Sequence, residues 1–342
     1  MRLGISYWGF CEEFNDSVVS KTPDGHRYGR PLFVKELKKK NHKVISLQEK
    51  RELNNSLCDM HDSVGFPDID LLFIEWRWPT YKNSGNNPQE NDLIRQQSLL
   101  NHYHGKIPIV IWDCDYKLTY EDEIAWPKAI IADPALNPRF LSRKRDRLLF
   151  WTDWNPIIHN PQKLNVYGYI GNNYERPKQF LEYYSAPASG LRHFGVQVSV
   201  HGNWLEKSPE RESPIELVKN HQYISFGERL SFQDSMRKLS TFLCSTHITK
   251  DEYALRGFVS PRYLENIACN TLAFVPQEFL ENTLLGKKFV VRSRHDIVEE
   301  VRLLLELKED DLNSLLAEQK FALQQRNIFS VSSVVEYIES LV

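Results

Sequence analysis

Short, almost unbroken apolar runs set between polar stretches constrain this chain more than any other feature. DLLFIEW at 70–76, IPIVIW at 107–112 and LAFVP at 272–276 are the clearest. Each is far shorter than the roughly 20 apolar residues a membrane helix needs. Each is also continuous rather than alternating, as a strand covered on both faces must be. Further strands are expected at 2–7, 44–47, 129–132 and 148–151, then at 166–170, 196–201, 223–226, 242–245 and 288–291. Between them lie helical stretches at 31–40, with Leu32, Phe33 and Leu37 inward, and at 92–104, 177–184, 231–239, 261–268, 296–307, 310–324 and 332–341. Strands alternating with helices require open parallel sheets with crossover connections.

The same grammar starts twice. Pro156 and Pro161 sit in polar sequence near 155–164, which places a boundary there. The expected division is 1–158, 159–330, and a terminal helix at 331–342 packing back on the first domain. A chain of 342 residues is long enough to bury two cores. The polar stretch 8–29 is too long for a simple connector, and loops of that length usually serve function.

Hydrophobic content of 41% and charged content of 26% are those of a globular protein. A net charge of −2 gives no global positive field, so contact with nucleic acid needs local basic patches. Five cysteines without a CxxC pair read as reduced thiols. MRLGISYWGF lacks the basic region and long apolar run of a signal peptide. The expectation is a cytoplasmic, monomeric protein without a membrane partner.

The segment GFVSPRYLENIACNTLAFVP, 257–276, reads as a helix and a buried strand. Ser260 stands at the N-cap with Pro261 inside the start, and Asn270 suits a left-handed terminator. Arg262 and Glu265, three apart, share one side of the helix. They form either a surface ion pair of little worth or part of a nucleotide site at the carboxyl end of a parallel sheet.

Other strand ends carry chemistry too. Gly171, after 166–170, opens a turn GNNYER ending at Arg176, where a backbone could approach a phosphate. His201-Gly202-Asn203 and Gly227-Glu228-Arg229-Leu230 follow two more strands, as ordinary turns or as site walls. Asp113 and Asp115 end the strand at 107–112; they point the same way if it continues, and serve as helix caps or as a base. Trp76 and Arg77 end another strand, either stacking on a sugar or extruded base or packing beneath loops. RFLSRKRDR, 139–147, holds five basic residues, including Arg143 and Arg145, as a solvated loop or a phosphate contact. The histidines at 26, 102, 104, 159 and 247 show no metal-binding spacing.

Arg-x-x-Glu, a small-residue helix and an apolar strand resemble the donor-binding element of nucleotide-sugar glycosyltransferases of the GT-B fold. SPRYLENIACNTLAF resembles the DNA glucosyltransferases of T-even phages and bacterial spore-maturation-type glycosyltransferases. The resemblance implies an α/β fold of two Rossmann-like domains with parallel sheets facing a central cleft. It implies a UDP-sugar as co-substrate, with Glu265 on the ribose, Arg262 with Gly171 and Arg176 on the diphosphate, main chain near Leu230 on the uracil, and Tyr253 beside the donor. It implies metal-independent, inverting transfer with Asp115 as base, Asp113 as fallback, and Glu75 next. The acceptor implied, with the basic run in support, is double-stranded DNA carrying a hydroxymethylated cytosine, and the residues expected to meet it are Trp76, Arg77, Arg143 and Arg145. A surface glycan or small-molecule acceptor is the alternative, and a non-enzymatic sugar- or nucleotide-binding module a third. Asp-x-Asp also binds metal in glycosyltransferases of another fold, a reading not favoured here because the donor motifs of this chain sit in the other half. Two family features differ: Gly257 stands where many members carry a second Glu, and an arginine is replaced near Tyr174.

Overall fold

A computed structural model describes residues 1–7, 28–47, 65–76, 88–158, 161–205 and 222–342, with side chains from 93 onward in the helix beginning at Pro88. The described chain divides into two units, 1–153 with 328–342, and 154–327. Each is built on a six-stranded sheet whose neighbours all run parallel. No described helix is long and apolar enough to cross a membrane.

In the first unit β1 (Arg2–Ser6), β2 (Lys43–Ser46), β3 (Leu71–Trp76), β4 (Ile109–Asp113), β5 (Ile130–Asp133) and β6 (Asp146–Arg147) lie in the order 2-1-3-4-5-6. Helix α1 (Gly29–Lys39) links β1 to β2, α2 (Pro88–Tyr103) links β3 to β4, and α3 (Tyr120–Ala125) links β4 to β5. Every residue of β3 and β4 is buried, which is why both strands read as apolar throughout. In α1, Phe33, Val34 and Leu37 face inward, while Leu32 is half-buried. The run 148–151 is apolar and buried but forms no strand; Trp112 donates to the Leu148 carbonyl (2.8 Å) and Trp151 to that of Gly29 (2.6 Å). The strand falls instead on exposed Asp146–Arg147.

The second unit comprises β7 (Leu164–Ile170), β8 (Gln197–His201), β9 (Ile224–Gly227), β10 (Phe242–Thr246), β11 (Leu272–Pro276) and β12 (Val290–Val291). Their spatial order, 9-8-7-10-11-12 read from one edge, is the doubly wound arrangement of dinucleotide-binding sheets. After β7 comes α4 (Pro177–Phe180), continued by a π turn at Leu181–Ser185, then α5 (Ala188–His193). Helix α6 (Phe232–Thr241) precedes β10, α7 (Asp251–Arg256) and α8 (Pro261–Ala268) lie between β10 and β11, and α9 (Arg294–Glu306) and α10 (Glu309–Gln324) follow β12.

The last helix, α11 (Val331–Glu339), belongs to the first unit. It buries Val331, Val334, Val335 and Ile338. Glu339 meets Lys40 (2.9 Å) and His42 (2.7 Å), and Ser332 donates to Glu36 of α1 (3.2 Å).

Candidate functional site

In open parallel sheets, ligands bind outside the carboxyl ends of the strands where the winding direction reverses. In the second unit that switch lies between β7 and β10. Three turns at this edge are stitched together. Gly171 donates to the His201 carbonyl (2.9 Å), Gly202 to that of Gly227 (3.2 Å), and Asn173 to Asn203 Oδ1 (2.9 Å). Trp204 donates to the Gly171 carbonyl (2.7 Å). Gly202 has φ +144°, and a Cβ there would lie 2.3 Å from that carbonyl oxygen, so no larger residue fits. The turns expected at Gly171 and His201–Asn203 are therefore joined to each other and to the start of the turn at Gly227.

Arg176 stands at the end of the first turn, immediately before α4. Its Nη1 donates to the Asn172 carbonyl (2.6 Å), and its Nε has no hydrogen-bond partner among the described residues. His247 follows β10, across the switch. It is buried, and its backbone N–H donates to the Phe274 carbonyl (2.8 Å). Its ring donates to the Phe258 backbone carbonyl, while Nε2 lacks a partner among the described residues. Burial, with the Arg176 charge next, drives its pKa down to about 3, so the ring is neutral at pH 7.

Helix α8 runs back from this edge to β11. Pro261 occupies its first position, although the Ser260 side chain makes no capping bond, and Asn270 ends the segment at φ +53°. Arg262 Nη1 and Glu265 Oε2 are 2.5 Å apart. This is no surface pair, for Glu265 is 1% exposed while Arg262 keeps 32% of its side chain open. Tyr253 is buried on α7, stacked on Phe258 (ring centroids 4.1 Å) beneath the Lys250 ammonium. Leu230 is half-buried just before Ser231, whose hydroxyl caps α6 by accepting from Asp234 N (3.1 Å).

The first unit corrects several expectations. Strand β4 stops at Asp113, and Tyr116 is left-handed (φ +56°), so Asp113 and Asp115 do not extend one strand face. Asp113 is buried: Oδ1 accepts from Lys117 N (2.7 Å) and Leu118 N (3.1 Å), and Oδ2 pairs with Arg145 Nη1 (2.8 Å). Arg145 also meets Glu123 (2.7 Å) and Asp133 (3.5 Å), and all four side chains are shut from solvent. Burial pushes the Asp113 carboxyl up to about 6 and raises Asp133. Burial also opposes ionisation of Glu123, but hydrogen bonds from Ser142 and Arg145 outweigh it and hold that carboxyl below its usual range. Asp113 thus holds a turn, leaving half-buried Asp115 as the accessible carboxylate of the two.

The basic run is not an open phosphate-binding face either. Arg145 is spent in that cluster. Arg143 donates to the carbonyls of Pro127 (2.5 Å) and Trp126 (2.8 Å), and Arg139 donates to the Tyr116 carbonyl (3.2 Å). Lys144 and Arg147 remain exposed. Trp76 is wholly buried in the core of the first unit, because β3 is covered on both faces, so it cannot stack on an acceptor. Glu75 is buried and bridged by Arg30 through two hydrogen bonds (2.9 and 2.6 Å). Arg77, His26 and His159 lie outside the described residues.

No protein-family model matches the sequence, and no curated protein matches it. Solved structures do. T4 phage β-glucosyltransferase superposes with TM-score 0.66 at 15% identity, covering 100% of this chain and 99% of that one. An α-glucosyltransferase with UDP and a 13-mer DNA containing an HMU base gives TM-score 0.66 at 13% identity, over 100% and 99%. T4 phage β-glucosyltransferase with UDP and Mn2+ gives 0.64 at 14%, over 99% and 98%. The fold is GT-B. At this identity the likeness shows the fold alone.

Sequence reading does not single out His247, the buried histidine at this edge whose Nε2 has no partner among the described residues. Metal spacing is the wrong criterion for it; the signal is its place one residue past β10, the strand that flanks the switch point.

Proposed function

We propose that this chain is a glycosyltransferase that moves a sugar from a UDP-sugar to a hydroxyl acceptor. The observation that carries the reading is the convergence on His247, one residue past β10 at the switch point of this sheet, of the Arg176 charge from the turn after β7 and of Tyr263 (ring centroids 5.3 Å) from α8, the helix that bears Arg262 and Glu265. Glu265 accepts hydrogen bonds from the ribose hydroxyls, which requires Arg262 to turn from it toward the diphosphate. Arg262 and Arg176 then stabilise the charge that develops as the diphosphate leaves, the task a metal performs in other classes. Main chain near Leu230 holds the uracil, and Tyr253 lines the donor.

Asp115 removes the acceptor hydroxyl's proton as that oxygen bonds to the anomeric carbon and the carbon–phosphate-oxygen bond breaks, inverting the centre and releasing UDP. The preferred acceptor is a hydroxymethylated pyrimidine in double-stranded DNA, supported by the DNA complex of the α-glucosyltransferase of like fold. The commitment of Arg143 and Arg145 to carbonyls and carboxylates favours the second reading, a glycan or small-molecule acceptor with the same donor chemistry.

The test is transfer from a panel of labelled nucleotide sugars to hydroxymethylated DNA and to unmodified DNA, with and without a chelator. Transfer to the modified DNA alone is the expected result. UDP binding without DNA transfer selects the second reading, and failure to bind any nucleotide sugar overturns both.

A further inference from the structure

His247 and Arg176 stand beyond the ends of the two strands that flank the switch point, β10 and β7. Each carries a nitrogen with no partner among the described residues, and His247 is 3% exposed. The ring is confined by Tyr263 (centroids 5.3 Å) and Phe279 (5.6 Å), while its backbone is fixed to Phe274. It is thus held from swinging Nε2 out to water. A buried polar nitrogen without a partner costs stability that an apolar side chain of similar size would not.

Charge balance points to an anion. Near Arg176, Lys250 pairs with Glu175 (3.0 Å) and Lys178 approaches Asp251 (3.8 Å). Arg176 itself has no carboxylate partner among the described residues; the one bond of its side chain is to a carbonyl. The protonation state of the ring adds a condition. Since Nε2 is the nitrogen left without a partner, the donor to the Phe258 carbonyl is Nδ1, and a neutral ring then has no proton at Nε2. With Nδ1 kept as the donor to Phe258, an unprotonated phosphate oxygen can bond there only if Nε2 takes up a further proton.

Two groups bear on that step. Arg176 opposes it by charge. Tyr263 on α8 is buried with its hydroxyl toward the Leu285 carbonyl (3.4 Å), and burial keeps the phenol protonated and uncharged. Phe279, Phe274 and Phe258 contribute ring faces and carbonyls without charge. An anion that neutralises Arg176 removes the opposition.

We propose that His247 Nε2 and Arg176 Nε form a two-point clamp on one phosphate group of the donor diphosphate, and that the clamp closes with uptake of one proton by His247. The proposal rests on the donor reading above. It makes His247 a donor-binding residue and makes donor affinity depend on pH.

Titration of the full chain with UDP-glucose, uridine and inorganic pyrophosphate between pH 5.5 and 8 tests it, comparing wild type with His247→Phe and His247→Gln. Wild-type affinity for UDP-glucose should tighten as pH falls, by up to about tenfold per unit for one linked proton. His247→Phe should lose that dependence and, at the acid end, bind UDP-glucose and pyrophosphate roughly tenfold or more weakly, as for one lost hydrogen bond to a charged group. His247→Gln, which supplies an N–H without a titration, should bind more tightly than His247→Phe and show no such dependence. Uridine affinity should be unaffected in all three. The same pH dependence in His247→Phe as in wild type overturns the clamp, as does an equal loss for uridine. Should His247→Phe not fold, nitrogen NMR of wild type decides: UDP-glucose must move the His247 Nε2 resonance to that of a protonated nitrogen, and a static resonance overturns the proposal. Wild type that binds pyrophosphate with the stated difference from His247→Phe but binds no nucleotide sugar sinks the donor reading and leaves the phosphate clamp standing.

Discussion

Arg145 Nη1 donates to Asp113 Oδ2 across 2.8 Å, with neither side chain exposed to solvent. The bond fixes the end of β4, because the other Asp113 oxygen holds the backbone N–H groups of Lys117 and Leu118. The turn carrying Asp115 is thus set from below by a buried ion cluster rather than by regular structure. Arg145→Met should leave Asp113, Glu123 and Asp133 without their shared cation. Breaking a buried pair from one side costs about 3–5 kcal/mol. Urea denaturation should show a loss of this order; an unchanged midpoint would mean that the cluster does not hold the first unit together.

Asp115→Asn keeps shape and removes proton acceptance. Transfer should fall roughly 10²–10⁴-fold, the usual span for losing a general base, while UDP affinity persists. Asp113→Asn should act differently, lowering the unfolding midpoint along with activity, because its oxygens hold the turn. Near-normal transfer by a folded Asp115→Asn protein places the base elsewhere.

Glu265→Ala removes the proposed ribose contact and the buried partner of Arg262. UDP affinity should drop by about 1.5–3 kcal/mol, the worth of a hydrogen bond to a charged group. Calorimetry on the folded variant measures this directly, and wild-type affinity would remove Glu265 from the site.

Gly202→Ala sets a Cβ against the Gly171 carbonyl at a backbone angle that side chains rarely adopt. Strain of this kind costs of order 1–3 kcal/mol. The variant should melt earlier and bind UDP more weakly, since relief requires parting the turns after β7 and β8. A variant with wild-type midpoint and affinity would show that this close approach is dispensable.

Much of the fold is legible in the sequence because parallel strands covered on both faces are apolar along their whole length, as in 70–76 and 107–112. The same criterion misleads at 148–151, where burial comes with Trp112 and Trp151 hydrogen bonding into an irregular connection. Arg262 and Glu265 are legible because their contact is local, three residues apart on one helix. Arg145 is not, for its partners come from β4, α3 and β5, and a local charge count cannot show that a basic residue points inward. Trp76 fails for the opposite reason: a strand end suggests exposure, but β3 is buried to its last residue.

His247 also gives the unliganded second unit a pH signature. Its pKa is about 3 in the folded chain, against 6.5 for an ordinary histidine. Between these values the unfolded chain binds the extra proton and the folded chain does not. Stability therefore rises with pH across that window, and falls as pH drops from about 6.5 toward 3. Asp113 works in the opposite sense, because its carboxyl is raised from 3.8 to about 6 and the folded chain holds the proton between those values. Comparing variant with wild type isolates the histidine, since Asp113 is common to both. The unfolding midpoint of His247→Phe, taken relative to wild type, should be nearly level above about pH 7 and climb as pH is lowered below about 6.5 toward 5. A difference that stays constant over that range would mean that His247 takes up its proton in the folded protein as readily as in the unfolded chain.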